Sequence, residues 1–133
     1  KIYDEPANLF VASFIGNPPI NQLHGYIKNG DFVLADGSAT INLDNKKAKE
    51  GQQVVLGIRP EAIMLNQNEI DMTATIKQRY TMGKEELAFV NVGGETIRVY
   101  LSNDYTFAVG ETVNIKLRNK GVFLFDKETG ERI

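Results

Sequence analysis

Residues 23–34 read LHGYIKNGDFVL and residues 86–101 read ELAFVNVGGETIRVYL. In each, a half-apolar run meets two turn residues and returns as a second such run. Asn29-Gly30 and Gly93-Gly94 tolerate positive φ at successive positions, as the tight turns of two-residue hairpins require. Antiparallel hairpins of short strands are therefore the unit of this fold, not a layered α/β arrangement.

The same grammar extends in both directions. Asp36-Gly37 marks a turn into an alternating stretch over 39–43, and the polar run 44–52 reads as a surface loop. Residues 54–58 form the next strand, stopped by Pro60, after which 61–65 are expected to make one helical turn. Met72, Ala74, Ile76, Gln78 and Tyr80 share one face of a long strand closed by Gly83, since side chains of a strand alternate. Residues 112–117 and 122–125 supply two more strands, with turns at Gly110 and 119–121. About eight strands over roughly 115 residues predict a mainly β chain, a small barrel with an appended sheet.

One short N-terminal helix is expected before the strands. Asp4 or Glu5 caps it, Pro6 suits its first position, and residues 7–15 carry an apolar stripe with Phe10 and Phe14 one turn apart. Gly16 and Pro18-Pro19 end it. So short a helix is unstable alone and must dock its aromatic stripe on the strands after it.

Composition narrows the function. The 133 residues are 42% hydrophobic and 24% charged, close to globular averages. Cysteine is absent, which removes disulfides, thiolate metal sites and thiol nucleophiles and fits a reducing compartment. No apolar run approaches the roughly 20 residues of a membrane-spanning helix. Basic and acidic residues number six and seven up to Asn66, then nine and ten beyond it. Neither half offers the basic stripe of a nucleic-acid module, so no nucleic-acid partner is expected. The chain opens on Lys1, and an excised segment lacking its N-terminal neighbour is the expectation.

Catalytic candidates are few. His24 is the single histidine, with no carboxylates at ligand spacing, and reads as a surface or satisfied strand residue; no metal is expected. Gly93-Gly94, followed by Glu95, lacks the lysine and hydroxyl of a phosphate loop. Glu85 and Glu86 precede a strand, where adjacent side chains point to opposite faces and cannot form an acid/base pair. Asp31, Asp36, Asp44, Asp104 and Asp126 suit turns. Lys46, Lys47 and Lys49 lie in a loop flanked by Asp44 and Glu50. No catalytic residue and no cofactor-binding residue is assigned, which leaves a binding or structural module.

Three stretches carry a family resemblance. YDEPANLFVASFIGNPPINQL at 3–23 resembles the segment after the nucleotide-binding domain of maltose-type carbohydrate importer ATPases. It matches that pattern at Tyr3, Pro6, Ala7, Phe10, Val11, Ala12, Phe14, Ile15, Gly16, Pro18 and Asn21, with Ile20 in place of the usual Met. GIRPEAI at 57–63 matches the family's Gly-Ile-Arg-Pro-Glu signature, with Ala62 where relatives often carry a polar residue. LFDKETGERI at 124–133 resembles the closing Leu-Phe-Asp-x-x-x-Gly.

The resemblance implies the C-terminal regulatory domain of a carbohydrate ABC importer ATPase, built on an OB-fold-like barrel of the TOBE type. Residues 1–19 would be a linker helix from a missing nucleotide-binding domain, and 20–133 the regulatory domain. That upstream domain would hold ATP and Mg; this fragment would hold no cofactor and be no enzyme. Implied partners are a second copy of the subunit, the transporter's membrane subunits through the missing domain, and a regulatory protein. The implied location is cytoplasmic, peripheral on the inner face of the membrane. Candidate junction or partner contacts are Phe10, Phe14, Asn21, Arg59 and Glu61, the last two also able to pair and shape the Pro60 corner. The alternative is a free-standing OB-fold module for an oligonucleotide or small oxyanion.

Overall fold

The computed structural model describes residues 20–43, 47–65, 70–82, 85–101, 108–118 and 120–133. The helix expected over 7–15 lies outside them. Among the described residues the chain forms β1 (Asn21–Lys28), β2 (Asp31–Leu34), β3 (Thr40–Ile41), β4 (Gln53–Ile58), a 3-10 turn (Pro60–Ala62), β5 (Ile63–Leu65), β6 (Met72–Met82), β7 (Glu85–Val92), β8 (Glu95–Leu101), β9 (Thr112–Leu117) and β10 (Val122–Asp126).

Both hairpins form. Asn29 and Gly30 take φ of 53° and 82°, and Gly93 and Gly94 take 55° and 85°, the left-handed pair that matches the strands' twist. β1 pairs with β2 through Tyr26↔Val33 and Ile27↔Phe32. β7 pairs with β8 through Phe89↔Arg98 and Val90↔Ile97.

The strands assemble into two five-stranded sheets, in the orders β10-β4-β1-β2-β3 and β5-β9-β6-β7-β8. The inward positions of the two sheets meet in one core. Leu23, Ile27, Phe32, Leu34, Leu56 and Ile58 come from the first sheet, and Ile76, Val90, Ile97, Val99, Val113 and Ile115 from the second. Each is at most 4% exposed. The curled sheets facing across this core give the expected mainly β, OB-like half-barrel.

Two local expectations change. The helical turn expected over 61–65 is shorter: Pro60–Ala62 make the 3-10 turn, and Ile63–Leu65 extend to pair with Leu117 through Ile115 on β9. Burial of Ile63 and Leu65 in the core outweighs the weak local preference of an isolated turn. The single-face reading of β6 holds only to Ile76. There Ile76 pairs with Val90 and Gln78 with Phe89, so Lys77 is an extra residue in a bulge. A bulge reverses the inward phase. Met72, Ala74 and Ile76 are buried, whereas Gln78 and Tyr80 are exposed.

Candidate functional site

Asn21, Arg59 and Glu61 come together at one end of the barrel. Asn21 stands opposite Ile58 in the β1–β4 register, Arg59 follows Ile58, and Glu61 lies in the 3-10 turn. Phe10 and Phe14 lie outside the described residues.

Asn21 is 4% exposed and closes one sheet against the other. Its Nδ2 donates to the Arg98 carbonyl at 2.7 Å, and its Oδ1 accepts from the Arg98 N–H at 2.8 Å. The side-chain amide thus presents to β8 the donor and acceptor that a neighbouring strand's peptide would present. Three residues along β1 and three back along β8, Glu95 acts in the reverse direction. Its Oε2 accepts from the His24 backbone N–H at 2.9 Å, and its Oε1 meets His24 Nδ1 at 2.5 Å. Facing a carboxylate, Nδ1 is the nitrogen that carries a proton.

His24 therefore marks a change of partner along β1. Its carbonyl accepts from Ala35 N–H at 3.0 Å, just past β2, while its N–H is held from β8. Toward Lys28 this edge of β1 bonds to β2 by backbone; toward Asn21 it faces β8 through side chains. Gly25 sits at the change. A Cβ there would lie 2.2 Å from the Val33 carbonyl oxygen and 2.7 Å from the Phe32 ring, so only glycine lets β2 approach this closely.

The Arg-Pro-Glu corner joins β4 to β5 and so links the two sheets covalently. Arg59 N–H donates to the Gly121 carbonyl at 2.9 Å, and its own carbonyl accepts from Ala62 N–H at 2.9 Å. Its side chain is not solvated: the residue is 6% exposed, and Cζ lies 5.7 Å from the Phe123 ring centroid. Arg132 also stacks on Phe123, at 4.8 Å, within the range of a cation–π contact. Ala62 is buried, and a Cβ on Gly121 would come within 3.0 Å of its Cβ. A small apolar residue at 62 fits this packing, where a polar side chain would lose its hydration. Glu61 is exposed at the corner.

The closing stretch 124–133 folds back along β10. Asp126 Oδ1 accepts from the N–H groups of Glu128 and Thr129, both at 2.9 Å, and Oδ2 accepts from Gln52 Nε2 at 2.7 Å. The Thr129 N–H, then the Gln52 amide, hold the Asp126 carboxyl below the usual carboxylate range. Asp36 is likewise held low, by the Ser38 side chain and backbone. Both aspartates cap turns.

A groove of about 420 Å³ runs beside β9 and β10, its polar lining including Asn42, Asp71, Lys116 and Arg118. Asp71 Oδ2 accepts from Leu117 N–H at 2.8 Å and lies 3.5 Å from Lys116 Nζ. An oxyanion drawn to Lys116 and Arg118 would meet this carboxylate. On the outer face of the second sheet, Tyr80 packs edge-on to Phe89 at 5.4 Å, and Arg98 Cζ lies 5.7 Å from the Phe89 ring. Among the described residues no group of three or more His, Asp or Glu is placed to hold a metal.

Sequence reading missed Gly25, Glu95 and Arg98. Their roles depend on which strands become neighbours, and local pattern does not encode that. The one signal was Glu95, a carboxylate directly after a hairpin glycine pair.

The arrangement defines an OB-type module in which Asn21, Glu95, Asp126 and Arg59 close seams, turns and corners. The chain belongs to the TOBE domain family, whose profile matches residues 56–125; the MalK OB fold domain profile matches residues 16–63. It is 35% identical, over its whole length, to the sn-glycerol-3-phosphate import ATP-binding protein UgpC of Escherichia coli O1:K1 / APEC. Identity to UgpC of Salmonella typhi is 37%, again over the whole chain. Over 99% of the chain, 32% is shared with the uncharacterized ABC transporter ATP-binding protein YurJ of Bacillus subtilis strain 168. The chain spans 38% of UgpC and 40% of YurJ. Its fold is also similar to that of the cytoplasmic molybdate-binding protein ModG in a molybdate-bound crystal structure. That match has a TM-score of 0.62 and 17% identity, and covers 78% of this chain and 94% of ModG.

Proposed function

We propose that this chain is the non-catalytic C-terminal regulatory and dimerisation domain of the ATP-hydrolysing subunit of a carbohydrate ABC importer. The observation that carries the reading is the match to import ATP-binding proteins along the whole chain. The three stretches that resemble the importer family support it. Two of them have structural roles here, as the Gly57–Glu61 corner and as the 124–133 return along β10.

On this reading ATP would not be held by this module. The glycine pair at 93–94 sits on a hairpin tip, where a Cβ on Gly93 would lie 2.2 Å from Leu34 Cδ2 and 2.9 Å from the Asp36 carboxylate. A phosphate brought there would meet that carboxylate. ATP and Mg would belong to an upstream domain, which would also contact the membrane subunits on the cytoplasmic side.

The physical role of such a domain is to hold two ATPase halves together while they separate in each cycle. A persistent tether keeps their effective concentration high, in the millimolar range for short linkers. Co-purification of a tagged with an untagged copy of the whole subunit, without nucleotide, tests this. The pair should persist with the domain present and be lost when it is deleted. Persistence after deletion would refute the tethering role.

A further inference from the structure

The outer face of the second sheet gathers aromatic rings and cations around the β6 bulge. On that face Tyr80 pairs with Leu87, Leu87 with Tyr100, and Phe89 with Arg98. Tyr80 is 46% exposed, and the other four are half-buried. The bulge adds a second cation. Unbroken alternation would turn one of two successive residues inward, but Lys77 and Gln78 are both exposed. Lys77, Gln78, Phe89 and Thr96 line an open hollow of about 440 Å³. Val109, 63% exposed, borders the bulge on the turn whose Gly110 N–H donates to the Ile76 carbonyl at 2.7 Å.

Among the described residues neither Lys77 nor Arg98 forms an ion pair. Carboxylates of the same sheet and its turns are engaged elsewhere. Glu86 accepts from Arg79 Nε at 2.9 Å, Asp71 lies 3.5 Å from Lys116 Nζ, and Glu111 accepts from Ala108 N–H at 3.0 Å. In a chain of net charge −2, two unanswered cations beside exposed apolar surface call for a complement of opposite sign. Contact with the Phe89 ring uses up none of the N–H donors of the Arg98 guanidinium.

The charge decides among occupants. A twofold contact between copies would set Lys77 and Arg98 against the same cations of the other copy. A nucleic acid binds through many neutralised phosphates, and two cations supply little of that. Arginine and aromatic side chains around a hollow that can be emptied of water are the usual anchors of a protein partner. We propose that the outer face of β6, β7 and β8 is a docking surface for an acidic segment of another protein. An apolar side chain of that segment enters the hollow beside Phe89, and its carboxylates pair with Lys77 and, in bidentate fashion, with Arg98. The bulge then serves recognition, because it brings Lys77 onto the face. This goes beyond the transporter reading and stands independently of it.

The folded full chain is challenged with a phage-displayed library of random dodecapeptides. The most enriched peptide is synthesised with a fluorescent label and titrated by anisotropy. Enriched sequences should carry carboxylates around an aromatic or aliphatic residue. Lys77→Glu combined with Arg98→Glu should weaken binding by at least an order of magnitude, since like charges then meet. Phe89→Ser should weaken it as well, whereas Lys47→Glu with Lys49→Glu, in the loop before β4, should not. Circular dichroism verifies that each variant is folded. No enrichment, enriched peptides without carboxylates, or binding that survives the double charge reversal would overturn the proposal. Tighter binding of an oligothymidylate of equal length, lost in the same double variant, would assign the face to a nucleic acid instead. Wild-type dimers that the double variant dissociates, read by sedimentation equilibrium, would assign it to a second copy and equally refute the acidic partner.

Discussion

Replacing Asn21 tests whether the two sheets are closed by one side-chain amide. Asn21→Ala removes two hydrogen bonds, of 2.7 and 2.8 Å. Each contributes about 1 kcal/mol net, and Arg98 is left with an unanswered donor and acceptor, so the expected loss is about 2–3 kcal/mol. Asn21→Asp keeps the shape and reverses one polarity. One oxygen still accepts from the Arg98 N–H, but the other replaces Nδ2 and faces the Arg98 carbonyl. At neutral pH a carboxylate is also buried at a position 4% exposed in the wild type, which adds several kcal/mol. The aspartate should therefore be worse than alanine at pH about 7. Burial and the facing carbonyl raise the introduced carboxyl's folded pKa above its unfolded value of about 3.9. Protonation below that folded value restores a donor toward the Arg98 carbonyl, so the penalty is present at high pH and fades as pH falls through it. Urea unfolding at neutral and mildly acidic pH, with wild type measured alongside, reads both effects. Tyrosine fluorescence can follow it, since the chain has five tyrosines and no tryptophan. An alanine loss below about 0.5 kcal/mol, or an aspartate penalty that does not change with pH, would refute the seam between β1 and β8.

Two further outcomes concern backbone approach and acid. Gly25→Ala should cost about 3 kcal/mol, at the upper end of overpacking, because the nearest obstacle is the Val33 carbonyl at 2.2 Å and not a flexible side chain. Gly30→Ala meets open space at φ +82° and should cost about 1 kcal/mol from backbone strain alone; equal urea-midpoint shifts for the two would remove the steric account. Asp126→Asn should be less stable than wild type at neutral pH. Since the folded carboxyl is held low, its stabilisation is present above the unfolded value of about 3.9 and is lost as pH falls through the lower folded value, so the gap should narrow as pH falls below about 3.9. A constant gap across that range in thermal melts would exclude the carboxylate cap as its source.

Hairpins were legible because a glycine pair or Asn-Gly imposes backbone geometry without help from the rest of the molecule. Core positions were legible wherever alternation ran unbroken, as in β8, where Ile97, Val99 and Leu101 all point inward. β6 was legible only as far as Ile76, because the bulge at Lys77 leaves no mark in the hydrophobic pattern and is set by pairing with β7. β5 was misread for a similar reason: three residues carry too little period to separate a turn from a strand, and only β9 decides between them. The candidate site divides in the same way. The Arg59–Pro60–Glu61 corner could be found from its proline. Asn21 was flagged through family resemblance, but its role required knowing that Arg98, 77 positions away, comes alongside.

The barrel is closed differently on its two sides. Between β4 and β5 the sheets are joined covalently by a corner whose arginine is packed on Phe123 and tied to Gly121. Between β1 and β8 the strands are joined by Asn21 and by Glu95 with His24. Backbone ladders distribute a disturbance over many bonds, whereas this seam concentrates it in a few side chains that can be exchanged singly. Asn21 and Ile58 are register neighbours, so seam and corner share one end of the barrel. A substitution at Asn21 or Arg59 should therefore disturb the seam and the corner together. Phe89→Ser, on the far sheet's outer face, should leave both intact. That pairing of effects is what separates a mechanically coupled end from two independent structural features that happen to lie close.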